Sequence, residues 1–402
     1  ESLTAALMSS RGEASGIALA DQVLTRYGAL EDEGRLEFFR HLCQAFDPDP
    51  DAVRAAAEAY ASGGTATDLR ALVMAAEPPR QELFRRLNMA PGGTARLVGL
   101  RADLRKALRQ DGDLRRVDDD LAHLLGSWFN RGFLVLRPID WNTPAAVLEK
   151  IIAYEAVHEI DSWDELHRRV DLPDRRCFAF FHPAMPDEPL IFVEVALTRE
   201  TPGSIQALLD PGREVLDPAR ANTAVFYSIS NCQPGLAGVS FGAFLIKQVA
   251  YDLASQLRGI ETFVTLSPVP GLVSWISSEA EREPDGDAAL VVSTLGDAGW
   301  PDDPDRAEAT RPRLRGLAAQ YFLAAKRGDG QPIDPVARFH LGNGAELEAI
   351  HWPGDTSARG LAQSGGIMVN YRYRLDRIEA NHEAYATEGK VIASRAVRSL
   401  YK

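Results

Sequence analysis

Ala224-Val-Phe-Tyr-Ser-Ile-Ser230 runs into Asn231-Cys-Gln-Pro-Gly-Leu-Ala-Gly-Val239 and then into Ser240-Phe-Gly-Ala-Phe-Leu-Ile-Lys-Gln-Val249. The first piece is rich in aromatic and β-branched residues and predicts a strand. The second carries turn residues, and the third has helical spacing. Gly235 and Gly238 let the backbone turn tightly and approach a ligand. The free N–H groups at the helix start then face an anion, aided by the helix dipole. A pyrophosphate fits such a junction, although plain turn chemistry produces the same pattern. The stretch also holds Gly238-Val-Ser240-Phe-Gly242, a match to the G-x-S-x-G nucleophile elbow of serine hydrolases. That elbow sets the serine directly after a strand. Here the loop Asn231 to Val239 intervenes.

Outward from this junction the chain divides into two kinds of pattern. Residues 1 to about 110 predict helices only, with Leu19, Val23, Leu24 and Tyr27, then Leu36, Phe39, Leu42 and Phe46, at helical spacing. Asp47-Pro48-Asp49-Pro50 stops one helix and starts the next. Further helices are expected over 51–61, 66–76, 80–89 and 94–110. Beyond Gly112 strands and helices mix. Strands are expected over 132–138, 177–181, 190–197, 223–230, 262–266 and 367–375. Helices are expected over 114–130, 144–157, 241–257, 313–326 and 390–400. The acidic, Pro- and Gly-bearing run 279–305 predicts a surface excursion. The fold class is therefore an all-α N-terminal bundle (1–110) followed by an α/β or α+β domain (111–402). The helical part, lacking any polar constellation, is expected to drive homo-oligomerisation to a dimer or tetramer.

The net charge of −13 disfavours nucleic acid or an anionic membrane as partner, since both require a basic face. No apolar run reaches the roughly 20 residues of a membrane span. The three cysteines, Cys43, Cys177 and Cys232, are sparse and unpaired in spacing, as in a reducing compartment. No signal peptide or peroxisomal tripeptide is evident, so the cytoplasm is expected. No histidine pair has zinc-ligand spacing, so no metal is expected.

Three further segments carry candidate chemistry. Phe263-Val-Thr-Leu-Ser267-Pro268-Val-Pro270-Gly271 predicts a strand whose pairing ends near two prolines that cannot donate to a ladder. Ser267 would then sit on fixed backbone, as a catalytic hydroxyl or as an ordinary strand-end serine. His340 precedes a Gly342-Asn343-Gly344 turn, which reads as loose backbone of the kind found at sites, and is either a site imidazole or a core histidine. In Met368-Val-Asn-Tyr-Arg-Tyr373, Tyr371 and Tyr373 share one face of a strand and Asn370 and Arg372 the other.

Taken together, these segments resemble the malonyl-CoA decarboxylase family in order and wording. The motifs are Phe226-Tyr-Ser-Ile-Ser230, Gly235-Leu236 with Gly238-Val239, Phe244-Leu-Ile-Lys247, Leu266-Ser-Pro-Val-Pro-Gly271, Phe339-His-Leu341 with Asn343-Gly-Ala345, and Met368 to Tyr373. Trp128-Phe129, Glu155-Ala-Val-His158 and Val195-Ala-Leu-Thr198 extend the resemblance from about Leu121 to the end. It implies a helical bundle before a catalytic domain of the acetyltransferase (GNAT-like) fold, with a mixed, splayed sheet. It also implies conversion of malonyl-CoA to acetyl-CoA and carbon dioxide without a cofactor. The family's catalytic serine falls on Ser267 and its histidine on His340, with Tyr373 and Asn343 behind them. Its CoA loop falls on Ala237, Gly238, Val239, Ser240, Phe241, Gly242 and Ala243. Some relatives carry a glutamate where this chain has Ser240. The alternatives are an acyl-CoA N-acyltransferase on the same fold and a serine hydrolase using Ser240.

Overall fold

The computed structural model describes residues 2–9, 12–239, 245–297 and 299–401. The chain forms two compact units. One comprises Glu1–Val135, Phe180–Leu190 and Asn231–Phe241; the other comprises Leu136–Ala179, Ile191–Ser230 and Gly242–Lys402.

The first unit is helical: α1 (Ser2–Ser9), α2 (Glu13–Gly28), α3 (Asp32–Ala45), α4 (Pro50–Gly63), α5 (Ala66–Ala76), α6 (Pro79–Asn88), α7 (Gly93–Ala107) and α8 (Arg115–Trp128). Local chemistry sets these bounds. Asp49 caps α4, accepting from the Asp51 N–H, and Pro50 takes the first position, where its missing N–H costs nothing. Thr65 and Asp68 form a reciprocal capping box at the start of α5. The core is built by Val23, Leu24, Phe39, Leu83, Phe84, Leu97, Leu104, Leu121 and Leu125, and it also takes in Leu236 and Val239 from the later glycine-bearing segment. Buried Arg80 is neutralised by Asp47 and Asp120.

The second unit carries most of the sheet. Its strands are β1 (Val135–Ile139), β2 (Arg175–Phe181), β3 (Ile191–Thr198), β4 (Thr223–Asn231), β5 (Thr262–Thr265), β6 (Ser267–Pro268), β7 (Glu346–His351) and β8 (Met368–Arg372). They run in the order β1-β2-β3-β4-β5-β8-β6, with β7 also paired to β8. The helices are α9 (Ala145–Tyr154), α10 (Trp163–Val170), α11 (Ile205–Leu209), α12 (Leu245–Gln256), α13 (Leu272–Arg282), α14 (Asp287–Leu295), α15 (Pro304–Leu323), α16 (Pro335–Gly342), α17 (Ala358–Ser364), α18 (Ile378–Glu388) and α19 (Arg395–Leu400). β3 is buried along nearly its whole length and reads Ile-Phe-Val-Glu-Val-Ala-Leu, a near-continuous apolar run of the kind expected of an interior strand.

β4 and β5 pair in parallel from Thr223↔Thr262 to Phe226↔Thr265, and the Leu266 N–H still reaches the Phe226 carbonyl at 2.9 Å. Past that point β4 continues beside β3 but without β5, so the sheet splays there as the resemblance implies. The chain after Leu266 keeps its other neighbour, β8, which already pairs with β5 at Val264↔Arg372. Ser267 and Pro268 pair antiparallel with Val369 and Met368 of β8. Ladder pairing thus ends about where the prolines predict: contact with β4 stops at Leu266 and that with β8 at Pro268.

Two expectations are corrected. Residues 279–305 are not an excursion; they complete α13, form α14, and lead through a short turn with buried Trp300 into α15. Their Pro and Gly residues lie at helix boundaries, as with Gly286 before α14 and Pro304 behind the Asp303 cap. The strand expected from Gly132 begins only at Val135, because Asn130 caps a tight turn over Arg131–Phe133.

Candidate active site

α16 presents the imidazole. Asp334 caps this helix by accepting from the Ala337 N–H at 2.7 Å, and Pro335 fixes its first turn. Burial pushes the Asp334 carboxyl up to about 6. His340 lies in the last turn, not in the loose backbone the Gly-Asn-Gly sequence suggests. The Asn343 amide donates to the Phe339 carbonyl at 2.6 Å, closing the helix end one residue before His340. Gly344 follows with φ +81, and a Cβ there would lie 2.2 Å from the Ile378 carbonyl oxygen. Only glycine fits that position.

β5, β6 and β8 present the hydroxyls. Phe263, Thr265 and Ser267 alternate onto one face of the sheet. Val264 and Leu266 fall on the other, in an apolar cluster with Val225, Tyr227 and Met368. Ser267 Oγ donates to Thr265 Oγ1 at 2.8 Å and lies 3.2 Å from His340 Nε2. His340 Nδ1 lies 2.7 Å from Tyr373 Oη, just past the end of β8. The Tyr371 ring stacks on the imidazole at 4.6 Å and 24°. The result is one buried chain, Tyr373–His340–Ser267–Thr265, each member no more than 5% exposed.

Burial sets the protonation of this chain. It lowers His340 to about 3 and raises Tyr373 well above its ordinary range. The phenol therefore keeps its proton, and we assign it as donor to Nδ1, its recorded partner. The single imidazole proton then sits on Nε2, directed at Ser267 Oγ.

Sequence reasoning brought Ser267, His340 and Tyr373 forward, and the structure brings them together. It missed Thr265 and the stacking role of Tyr371. Alternation along 263–267 identifies Thr265 as a face-mate of Ser267, but nothing in the residues alone singles it out. Asn343 contacts the helix end, not the imidazole ring. Of the glycine-bearing loop, Ala237, Gly238 and Val239 are described, whereas Ser240, Phe241, Gly242 and Ala243 lie outside the described residues. Gly235 also serves packing: a Cβ on it would lie 1.8 Å from the Val98 carbonyl oxygen of α7.

A second polar cluster sits where β4 runs on without β5. Ser228 and Ser230 share the Phe226 face. Glu155 accepts from Ser228 Oγ at 2.7 Å, from Ser230 Oγ at 3.3 Å, and from the N–H groups of Val157 and His158. Glu155-Ala-Val-His158 is thus a buried anchor for the freed end of β4. On the sheet's opposite face, burial pushes Glu194 up to about 8 despite Arg169 at 3.2 Å. A cavity of about 850 Å³, lined by Leu136, Ile139, Arg175, Phe178, Tyr251 and Gln256, contains neither Ser267 nor His340 and does not mark the chemistry. Among the described residues no group of three or more His, Cys, Asp or Glu could hold a metal, and no helix is long and apolar enough to cross a membrane.

A mixed sheet thus holds a hydroxyl, a neutral imidazole and a phenol joined in its interior, groups of the kind an acid–base enzyme uses. Comparison with known proteins is specific about which. The malonyl-CoA decarboxylase C-terminal domain matches residues 132–402, and the N-terminal domain of the same family matches 46–129. The chain belongs to the malonyl-CoA decarboxylase family. It is 39% identical over 350 residues to the mitochondrial malonyl-CoA decarboxylase of Anser anser anser, covering 80% of this chain and 69% of that protein. With the Rattus norvegicus counterpart it shares 33% over 417 residues, or 95% and 84% of the two chains. The crystal structure of malonyl-CoA decarboxylase from Rhodopseudomonas palustris superposes with a TM-score of 0.95 at 52% identity, covering 99% of this chain and 98% of that one. The enzyme from Agrobacterium vitis gives 0.94 at 51%, covering 100% and 98%.

Proposed function

We propose that this chain decarboxylates malonyl-CoA to acetyl-CoA through the Ser267–His340–Tyr373 chain, with no metal or organic cofactor. The observation that carries this is the buried Ser267 Oγ at 3.2 Å from His340 Nε2 within the matched C-terminal domain. Cleavage of the bond to the carboxylate sends its electron pair into the thioester, giving carbon dioxide and an enolate. The thioester is its own electron sink. Hydrogen-bond donors must hold the developing oxyanion, and an acid must then protonate the α-carbon.

Because burial keeps His340 neutral in the free protein, it is not an imidazolium acid waiting for substrate. The Ser267 hydroxyl, which rotates freely between Thr265 and a ligand, hands its proton to carbon. The Nε2–H of His340 refills the oxygen; a proton taken up from solvent as substrate binds leaves the imidazole neutral afterwards, and the Tyr373 oxygen steadies Nδ1. The incoming malonyl carboxylate itself favours a proton on the imidazole, since an opposite charge nearby favours the charged form. Residues Ala237 to Ala243 receive the CoA pyrophosphate.

The testing experiment incubates dialysed, chelator-treated protein with malonyl-CoA and follows acetyl-CoA. Turnover without added metal or amine is expected. Turnover that appears only on adding a metal contradicts the cofactor-free reading. Turnover that needs an amine acceptor supports the N-acyltransferase. A fluorophosphonate adduct on Ser240 with loss of activity supports the hydrolase.

The finer assignments of place and assembly are also proposals. The three cysteines are free thiols, which favours a reducing compartment, and we assign the cytoplasm. The curated relatives above carry mitochondrial names, so cell fractionation decides. The α4–α5 hairpin exposes Leu69, Val73 and Met74, and this face supports homo-oligomerisation through the helical part.

A further inference from the structure

In the helical unit, an ion pair that the mechanism does not use grips the start of the glycine-bearing loop. Arg101 of α7 and Asp118 of α8 are 2% and 3% exposed. Arg101 Nε lies 2.8 Å from Asp118 Oδ1, and its Nη2 lies 3.4 Å from Oδ2. The remaining guanidinium nitrogen points out of the pair. Nη1 donates to the Gly235 carbonyl at 2.7 Å and to the Ala237 carbonyl at 3.0 Å.

Three further observations converge on the same segment. Gly235 lies so close to α7 that a Cβ would collide with the Val98 carbonyl. Leu236 and Val239 are buried in the helical core. The Cys232 N–H and the Gln233 side chain bond the Leu190 and Pro189 carbonyls. A charged group in the core is costly unless fully paired. Asp118 satisfies the charge, but the two carbonyl contacts use geometry that only the planar Arg fork supplies.

We propose that Arg101, oriented by Asp118, is a positioning residue for the CoA-binding loop, so that the helical part contributes directly to substrate affinity. This rests on the reading that the loop from Ala237 onward receives the CoA pyrophosphate. Backbone N–H groups bind an anion well only when they are already aimed, because ordering them at the moment of binding subtracts from affinity. Arg101 fixes the carbonyls at 235 and 237, and with them the backbone from which the loop continues.

The test uses the full chain and two substrates, malonyl-CoA and malonyl-pantetheine, the latter lacking the nucleotide pyrophosphate. The variant Arg101→Met with Asp118→Leu removes both charges together, which avoids an unpaired buried ion. Circular dichroism and melting establish that it folds. We expect the KM for malonyl-CoA to rise about tenfold or more while kcat stays within about twofold, with malonyl-pantetheine kinetics unchanged. Gly235→Ala, which pushes the loop off α7 from the other side, should give the same split. Arg101→Lys keeps the charge but not the fork, and should give an intermediate rise. These two variants keep the test decisive should the double variant not fold.

A folded variant whose KM is unchanged for both substrates, or raised equally for both, would overturn the positioning role. Wild-type protein that binds the two substrates equally well would overturn the loop reading itself, and this proposal with it.

Discussion

At the scale of single residues, the central fact is a histidine without charge. His340 is held near 3 by burial, and His158, also buried, near 4. Both lie below the ordinary value of about 6.5. The unfolded chain therefore binds more protons than the folded one between those values and 6.5, so stability is fully present above pH 6.5 and is lost as pH falls through that window. The unfolding free energy of His340→Asn should fall less between pH 6.5 and 4 than that of the wild type. Parallel curves in urea titrations would place the His340 proton elsewhere. Nitrogen NMR of the free protein should likewise show no His340 titration between pH 5 and 8. Tyr373→Phe leaves Nδ1 without its donor. An unpaired buried acceptor costs about 1–3 kcal/mol, and to the extent this is felt in the transition state kcat should drop about tenfold. Unchanged kcat with intact fold would reduce Tyr373 to packing.

At the scale of elements, α16 shows both what sequence patterns reveal and what they hide. The motif Phe339-His-Leu341 with Asn343-Gly-Ala345 pointed to His340, yet the Gly-Asn-Gly run read as loose backbone. The structure reverses that: Asn343 ties the helix end, and Gly344 is there because the chain packs against Ile378. Gly344→Ala combines a positive φ with a backbone clash. It should lower stability by about 1–3 kcal/mol and turnover with it. Thermal melting checks the first and acetyl-CoA formation the second; an unshifted melt would show that the backbone relaxes freely. Ser267 was legible as a strand-end hydroxyl, but its partner was not, since pairing of Ser267 with Val369 joins segments about a hundred residues apart. Arg101 and Asp118 were illegible for a related reason. In a helical pattern both look like solvent-facing charges, and only the tertiary packing of a loop 134 residues away turns them into a buried clasp.

At the scale of the whole molecule, the alternation of patterns around residue 110 conveyed the order of helical and mixed parts correctly. What it could not convey is that the helical core also draws in Leu236 and Val239 from the far side of the sequence. Deleting the first hundred residues would expose that core, so it is a poor test of assembly. The triple variant Leu69→Ser, Val73→Ser, Met74→Ser changes only exposed side chains of α5. Light scattering should show a smaller assembly with unchanged circular dichroism. An unchanged mass would remove the assignment of this face to oligomerisation.

The most direct test of the catalytic account is kcat for malonyl-CoA in wild type, Ser267→Ala, His340→Asn and the double variant, each checked for native circular dichroism. Loss of a positioned acid or relay typically costs about 10²–10⁴-fold, and each single variant should fall in that range. Because both groups act on one proton, the double variant should lose far less than the product of the two. Near-normal kcat in folded His340→Asn, or strictly multiplicative losses, would contradict a shared Ser267–His340 relay.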